Sequence, residues 1–511
     1  MKYIVKFLFH RACFLVLAIL VQLFVFIGVI VKFYDYFAYF YAASLIISLV
    51  VILFILNSKS NPVYKIAWII PILLFPIFGG LFYIFIGNNK LSKRARQRMK
   101  SISDKTREAL KPKQQILDEM KLSNEIAANQ SRYIQDYAYY PPYCNTFTEY
   151  LSIGEIKFER LKEELKKAKK FIFLEYFIIE EGIMWNSILD ILKEKVKEGV
   201  DVRVIYDDAG CILKLPYGYD KKLESLGIKC CIFNPLVPLL STRFNTRDHR
   251  KIAIIDGHTG FTGGINLADE YINEYERFGH WKDTAIMVKG EAVWSMTVMF
   301  LSMWDYLKGI DEDFEKFKPD IASCQKGCRD GYVQPYADSP LDDETVGEVV
   351  YLNLINKARK YVYITTPYLI IDNEMITALT SAAKGGVDVR IITPHCGDKW
   401  YVHEVTRSYY KILVEGGVKI YEYTPGFIHS KTFVVDDEYG VVGTINMDYR
   451  SLFLHFECGV WMYNCSSVGD IKEDFIKTLE MCQEITLKDL KQVKWHKTLI
   501  RMILRIFAPL M

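Results

Sequence analysis

Two short segments of this chain carry the residue types that phosphoryl chemistry requires. HRKIAIID begins at His249 and HSKTFVVD begins at His429, and both fit the pattern H-x-K-x-x-x-x-D. Residues two apart on a strand share a face, so each histidine should lie beside its lysine, Lys251 or Lys431. A lysine holds a phosphate as a point charge, and imidazole transfers protons near neutral pH or acts as a nucleophile. The pairs therefore predict chemistry at an anionic phosphate.

The segments around these motifs also recur in the same order. GVDVRVIYDD from Gly199 resembles GVDVRIITPH from Gly386, and GIKCCIFNP from Gly227 resembles GVKIYEYTP from Gly417. One motif alone has a simpler interpretation, a strand end with solvated polar residues. Two copies at matching positions instead favour a duplicated domain in which each half contributes one motif.

Helix-like and strand-like segments alternate through the body and would position the motifs. The charged segment FERLKEELKKAKK (158–170) precedes the apolar run FIFLEYFII (171–179). This alternation predicts an α/β fold in which layered sheets are covered by helices. We predict a first domain over residues 136–310, a linker over 311–332 and a second domain over 333–490.

The double motif, with the trailing segments GGIN and GTIN, resembles the phospholipase D superfamily over nearly all of residues 136–511. The resemblance implies a duplicated α/β fold with pseudo-twofold symmetry and one active site between the motifs, without metal or cofactor. One histidine attacks the phosphodiester phosphorus and forms a phosphohistidine. The other protonates the leaving alcohol and then deprotonates the incoming one. By this resemblance His249 is the nucleophile and His429 the acid/base, and the reverse assignment stays open.

The resemblance also assigns roles to nearby residues. Lys251 and Lys431 would hold the non-bridging phosphate oxygens. Asn266 and Asn446, which end the trailing segments, would donate hydrogen bonds to the same phosphate. The arginines that flank the motifs are further candidates for contacts with lipid phosphates: Arg247, Arg250 and Arg450.

Two kinds of carboxylate occur near the motifs: the aspartates that end them and the acids on later strands. Descriptions of the superfamily place Asp256 and Asp436 in the catalytic motif. Asp256, however, follows His249 by an odd number of residues and precedes a glycine, so we expect it to face away and to brace the end of the strand. Histidines at such sites are oriented by a carboxylate. The candidates are Asp283 in HWKDTAIMV and Glu457 in HFECGVWM, each on a strand that should return after the motif of its own half.

Longer stretches narrow the resemblance to bacterial cardiolipin synthases. They are IAWIIPILLFPIFGGLFYIFIG, NTRDHRKIAIIDG, HWKDT, IHSKTFVVDD and the C-terminal KWHKTLIRMILRIFAPLM. Leu452 and His455 depart from the phenylalanine and asparagine usual in that family. The implied reaction joins two phosphatidylglycerol molecules into cardiolipin and releases glycerol. The alternative is a phospholipase D or a transphosphatidylase that uses another head-group alcohol, and a tethered nuclease or a non-catalytic lipid-binding scaffold is more distant.

Three long uncharged runs precede residue 88, at 12–31, 37–56 and 66–87. Each approaches the roughly 20 residues that a helix needs to cross a bilayer. The third run is interrupted by two prolines and a Gly-Gly pair, so we predict two crossings and a re-entrant third segment. Basic residues in the N-terminal tail and in residues 90–100 then place the catalytic body in the cytoplasm. Residues 89–135 are expected to form a charged helical connector.

The overall composition limits the classes of partner. The formal net charge is +3 and 51% of the 511 residues are hydrophobic, which favours lipid and bilayer partners over nucleic acid. Eleven cysteines without a C-x-x-C pair predict neither a zinc site nor a disulfide framework. Residues 491–511 are expected to form a basic amphipathic helix that either contacts the membrane or packs on the body. The sequence does not predict the oligomeric state.

Overall fold

Two α/β lobes of the same design form the body of the protein, in agreement with the predicted duplicated fold. The fold is seen in a computed structural model. Apart from scattered positions between 17 and 32, it describes residues 37–59, 61–76, 79–84, 93–236, 246–319, 330–341 and 344–510.

Among the described residues from 37 to 84, the chain forms the helices α1 (Phe37–Leu56), α2 (Pro62–Leu74) and α3 (Gly79–Phe82). The chain turns after α2 and brings α3 back against it. A Cβ atom on Gly79 would lie 2.5 Å from the Cα of Ile72, so this close return requires glycine.

The predicted membrane crossings fall partly beyond this region. Most of the first apolar run, 12–31, lies outside the described residues. Within the described part of the chain, no helix has both the length and the apolarity that a bilayer crossing requires. The two crossings and the re-entrant segment remain predictions.

A helical segment follows within residues 93–137, and its role as a connector stays a prediction. It consists of α4 (Lys93–Ala109), α5 (Gln114–Ser123) and α6 (Glu125–Tyr137). Buried hydrogen bonds join it to the body, including one from Ser131 Oγ to Gln334 Oε1 at 2.7 Å.

The first lobe is a seven-stranded sheet with covering helices. Its strands are β1 (Thr146–Leu151), β2 (Phe171–Tyr176), β3 (Asp201–Asp207), β4 (Lys229–Phe233), β5 (Arg247–Asp248), β6 (Lys251–Ile255), β7 (Thr259–Gly263), β8 (His280–Lys282) and β9 (Ala285–Gly290). Its helices are α7 (Gly154–Lys167), α8 (Ile183–Lys197), α9 (Asp208–Cys211), α10 (Tyr219–Ser225) and α11 (Val293–Lys308). The sheet order is β1-β9-β7-β6-β2-β3-β4, and the short strands β5 and β8 lie outside this sheet.

The second lobe repeats this order. Its strands are β10 (Tyr332–Asp338), β11 (Tyr361–Thr365), β12 (Leu369–Ile370), β13 (Asp388–Pro394), β14 (Lys419–Tyr423), β15 (Gly426–Ile428), β16 (Thr432–Val435), β17 (Tyr439–Gly443), β18 (Met447–Asp448), β19 (His455–Tyr463) and β20 (Cys482–Ile485). Its helices are α12 (Val346–Lys357), α13 (Asn373–Lys384), α14 (Trp400–Glu415), α15 (Tyr449–Phe453), α16 (Ser466–Leu479), α17 (Leu487–Lys491) and α18 (Trp495–Ile506). The sheet order β10-β19-β17-β16-β11-β13-β14-β20 matches the first lobe strand for strand and adds β20 at one edge.

Two short parallel pairings join the lobes. Strand β5 of the first lobe pairs with β19 of the second, and β15 of the second pairs with β8 of the first. Both β5 and β15 end immediately before a motif histidine. The pairings therefore bring both motifs to the interface between the lobes.

The C-terminal helix α18 lies against α14. Arg501 Nε donates to Glu404 Oε2 at 2.6 Å, and the Arg505 guanidinium stacks 4.3 Å from the ring centre of Tyr409. The opposite face exposes apolar side chains, including Trp495, Leu499, Met502 and Ile503. The helix thus packs on the body while leaving an apolar face uncovered.

Candidate active site at the interface between the lobes

Each motif histidine is held by the lobe to which it does not belong. The backbone N–H of His249 donates to the Phe456 carbonyl at 2.9 Å, and that of His429 donates to the Lys282 carbonyl at 2.7 Å. Both imidazoles are more than nine-tenths buried. Because these bonds cross the interface, neither lobe positions its own histidine alone.

The orienting carboxylates are exchanged in the same way. His249 Nδ1 lies 2.8 and 3.0 Å from the two carboxylate oxygens of Glu457, and His429 Nδ1 lies 2.7 Å from Asp283 Oδ2. Both acids are thus the partners that the sequence suggested. The pairing within each half, which the sequence spacing suggested, is wrong. The physical reason is the pairing of β5 with β19 and of β15 with β8, which crosses the halves.

A threonine supports one of these acids and was missed from the sequence. Thr444 Oγ1 donates a hydrogen bond to Glu457 Oε2. The sequence offered one indication of this role, the position of Thr444 within the GTIN segment. On the other side, the backbone N–H of Thr284 donates to Asp283 Oδ1 at 2.8 Å. A Cβ atom on Gly264 would lie 2.0 Å from the same oxygen, so glycine leaves the space for this carboxylate.

The two lysines and two histidines act on one another electrostatically. Burial and the charges of Lys251 and Lys431 lower the pKa of His249 well below its usual value. Burial and the same two charges, with Lys431 acting more strongly, lower the pKa of His429. Each lysine thus acts on both histidines, which agrees with the strand pairings that bring the two motifs to one interface.

The buried environment destabilises the charged form of both motif lysines. Burial lowers the pKa of Lys251 to about 8 and that of Lys431 to about 7. Burial also raises the pKa of Asp283 to about 7, against the opposing charge of Lys431. A bound phosphate anion would offset this loss of solvation, so the site is arranged for an anion that is buried with the lysines.

The motif aspartates lie at the far end of their strands and do not contact the histidines. Asp256 accepts the backbone N–H groups of residues 169, 170 and 171 at 2.7–2.9 Å. Asp436 accepts those of residues 359, 360 and 361 at 2.6–2.9 Å. Both have positive φ, of 52° and 56°. They therefore brace the starts of β2 and β11, in agreement with the sequence argument.

The two motif asparagines differ in the hydrogen bonds that their side chains make. Asn266 accepts from the Ile178 N–H at 3.0 Å and donates to the Tyr271 hydroxyl at 2.6 Å, so it holds the loop after β2. Asn446 has a buried Oδ1 without a hydrogen-bond partner among the described residues. The direct phosphate contacts expected of both residues remain a prediction, and Asn266 has only one N–H left for that purpose.

The three flanking arginines also differ. Arg250 Nη2 lies 2.5 Å from Glu175, and Arg250 Nε donates to Asp248 at 3.1 Å. It is buried in this internal ion cluster, so the expectation that it meets a lipid phosphate is wrong. Arg247 donates to the Asn234 carbonyl at 3.3 Å and lies 3.6 Å from Asp207. Arg450, at the start of α15, is half-buried.

His455 places a third imidazole in the site. Its ring centre lies 5.7 Å from that of His249, and its Nδ1 lies 3.8 Å from Glu457. Donor atoms of these three side chains lie within 4.8 Å of one another, a set that suits a transition-metal ion. The Glu457 carboxylate, however, already accepts the hydrogen bond of His249. The absence of a metal, expected from the sequence, remains a prediction.

The fold and this doubled, crossed histidine site define the class of protein as the phospholipase D superfamily. The family profile described as cardiolipin synthase, phospholipase D-like domain matches residues 161–304 and 351–479. The chain belongs to this family. A second profile, described as phospholipase D-nuclease N-terminal, matches residues 45–88.

Curated relatives cover most of the chain. A cardiolipin synthase of Alkalihalophilus pseudofirmus is 36% identical over 89% of this chain and 90% of its own length. One of Geobacillus thermodenitrificans is 34% identical over 91% and 92%. An uncharacterized protein of Streptococcus mutans is 47% identical over 90% and 99%. Among solved structures, the phosphatidylserine synthase of Haemophilus influenzae shares the fold, with a TM-score of 0.53 at 16% identity over 71% of this chain and 93% of that one.

Proposed function

We propose that this chain is a cardiolipin synthase that transfers a phosphatidyl group from one phosphatidylglycerol to another. The observation that carries the proposal is the pair of buried imidazoles at the interface, each bonded at Nδ1 to a carboxylate of the opposite lobe and each beside a lysine. A phosphodiester suits this arrangement, because its phosphorus is an electrophile for the imidazole and its negative charge balances the lysines. Family membership supports the choice of substrate.

The contacts of the two rings support His249 as the nucleophile. His249 Nδ1 faces both oxygens of Glu457, so this nitrogen carries the proton and Nε2 keeps its lone pair. His429 Nδ1 lies between Asp283 Oδ2 at 2.7 Å and Lys431 Nζ at 2.8 Å. To act as the general acid, His429 must be an imidazolium whose Nδ1–H donates to Asp283 and whose Nε2–H goes to the leaving oxygen, and the negative charge of a bound phosphodiester favours this protonated form. The asymmetry suits a double displacement.

In the first half-reaction, His249 Nε2 attacks the phosphorus of one phosphatidylglycerol. The bond from phosphorus to the glycerol oxygen breaks, and His429 gives its proton to that oxygen. In the second, His429 takes the proton from a hydroxyl group of another phosphatidylglycerol, whose oxygen attacks phosphorus and displaces His249. Cardiolipin and glycerol are the products, and both histidines return to their initial states. Lys251 and Lys431 balance the charge of the phosphate oxygens.

Transfer must outpace hydrolysis, so the site should exclude water. The burial of both histidines supports this. We also propose that the body is held at the membrane, with the catalytic lobes in the cytoplasm. Two features support membrane association: the apolar N-terminal helix α1, and the exposed apolar face of α18, whose Arg501 and Arg505 lie on the side of the body.

The test uses purified protein and phosphatidylglycerol as the only lipid, with products resolved by mass. Cardiolipin and glycerol in equal amounts are expected. Phosphatidic acid as the sole lipid product would instead identify a phospholipase D. Cardiolipin formed only after addition of a different phospholipid would identify another transphosphatidylase.

A further inference from the structure

We propose that Arg450, Arg247 and His455 form a second anion subsite, which holds the phosphate of the acceptor lipid while its hydroxyl group reacts. This inference rests on the proposed function. The acceptor is itself a phosphodiester, so the product carries two phosphates joined through one glycerol. The two lysines beside the reacting histidines serve one phosphate, and the other needs cations of its own.

His455 and Arg247 are neighbours on paired strands, and the ring of His455 lies next to the reacting histidine. His455 begins β19 and pairs with Arg247 of β5 in parallel register. Its ring centre is 5.7 Å from that of His249. The charge of Arg450 acts on both His455 and Arg247. A three-carbon glycerol bridge keeps two phosphates close neighbours, so the position of this cluster fits the second one.

Neither nitrogen of the His455 ring takes part in a hydrogen bond to the residues that the structure describes. The side chain is 10% exposed. A buried imidazole without hydrogen bonds loses its solvation, and the Glu457 carboxylate 3.8 Å from Nδ1 offsets only part of that loss. A phosphate oxygen next to the ring would supply the missing bond.

Arg450 is a cation without an ion pair among the described residues. Burial lowers its pKa, and the charge of Asp448 only partly opposes this effect. Arg250, which is buried, has two carboxylate partners instead. The charges of Arg247 and Arg450 also repel each other. Arg450, next to the Asp207-paired Arg247, is therefore suited to a phosphate, which its guanidinium can bond through planar donors.

The subsite would act in only one half-reaction. Glycerol, the first leaving group, has no phosphate, so formation of the phosphohistidine does not need these residues. The second half-reaction needs them, because they bind a lipid acceptor and give water or free glycerol no corresponding contact. The cluster would thus favour cardiolipin formation over hydrolysis.

The test compares two reactions of the full-length Arg450→Gln protein in mixed micelles. Exchange of labelled glycerol into phosphatidylglycerol uses only the reacting phosphate, whereas cardiolipin formation uses both. Loss of a charge-assisted hydrogen bond should lower cardiolipin formation by about tenfold or more and change glycerol exchange by less than about twofold. Arg450→Lys should retain an intermediate rate. The matched control is Arg390→Gln, which removes an arginine paired with Asp388 on β13 and should leave both reactions unchanged.

Equal losses in the two reactions, or no loss in either, would overturn the subsite. A wild-type protein that performs neither reaction would instead overturn the proposed function. A second measurement uses the unmodified protein and does not depend on the folding of a variant. Monoacylglycerol presents the same diol as phosphatidylglycerol but lacks the phosphate. In direct competition the phosphodiester acceptor should be preferred by about tenfold or more, and equal use of the two acceptors would contradict the proposal.

Discussion

Replacing Glu457 by glutamine should disable the nucleophile without removing it. Glu457 is fully buried, and its two oxygens lie 2.8 and 3.0 Å from His249 Nδ1. The carboxylate fixes the proton on Nδ1 and stabilises the positive charge that develops on the ring during attack. A glutamine Nε2–H group facing Nδ1 would favour the tautomer with the proton on Nε2, which blocks the attacking lone pair.

The expected loss follows from two contributions. A buried hydrogen bond between an imidazolium and a carboxylate contributes about 1.5–3 kcal/mol, which corresponds to roughly 10- to 150-fold in rate. The shift of tautomer adds to this loss, so we expect Glu457→Gln to lower kcat by about 10²–10⁴-fold. The KM for phosphatidylglycerol should change little, because the lysines that hold the phosphate are retained.

The assay is the initial rate of cardiolipin formation in mixed micelles, with thermal unfolding measured on the same samples. The matched control is Glu422→Gln, because Glu422 also bonds a histidine Nδ1, that of His395 at 2.9 Å, away from the motifs. The control should retain its turnover. A Glu457→Gln protein that keeps its fold and loses less than about threefold in kcat would refute the orienting role.

Other consequences concern stability, pH and membrane contact. Asp256→Asn should lower the free energy of unfolding by about 1–3 kcal/mol, because it weakens three backbone hydrogen bonds. Turnover per folded molecule should change little. An inactive variant with an unchanged melting temperature would argue against a bracing role. Burial lowers the pKa of Lys431 to about 7, so between about pH 7 and 10 the unfolded chain binds a proton that the folded protein lacks, and stability rises with pH across this window. Lys431→Met should therefore abolish turnover, raise the melting temperature at pH 7 and make stability depend less on pH. Melting curves recorded at a series of pH values measure this effect. A lower melting temperature at pH 7 would contradict the argument. In the wild type, kcat/KM should fall as pH rises above about 7, because first Lys431 and then Lys251 lose their charge. A flat profile up to pH 10 would count against that role. The double variant Trp495→Ser, Met502→Ser should sediment less with anionic vesicles than the wild type. The control Leu122→Ser, which changes a leucine 91% exposed on the connector, should sediment like the wild type. Equal binding by the wild type and both variants would exclude α18 as a membrane contact.

Local patterns in the sequence were sufficient for the repeat and the motifs. The alternation of helices and strands predicted two matching sheets, and H-x-K predicted a histidine beside a lysine on one strand. The odd spacing from His249 to Asp256 predicted a carboxylate that faces away. Each of these features depends on residues close together in the chain, where strand periodicity is informative.

The exchange of partners between the lobes could not be read in this way. That Glu457 bonds His249, and Asp283 bonds His429, depends on two- and three-residue strands that pair across the interface. Such short segments have no periodicity to detect. The ion cluster of Arg250 was hidden for a similar reason, because its partner Glu175 lies on a neighbouring strand more than 70 residues earlier. Contacts between distant segments require the tertiary structure.

The division of labour between the two histidines is tested most directly by trapping the covalent intermediate. Full-length His429→Ala protein is incubated with phosphatidylglycerol, quenched at alkaline pH, where phosphohistidine survives, and examined by intact mass and peptide mapping. One phosphatidyl group on His249 is the predicted result, with none on a His249→Ala protein treated in parallel. An adduct on His429 in the His249→Ala protein, together with no adduct on His249, would reverse the roles assigned to the two rings and contradict this account.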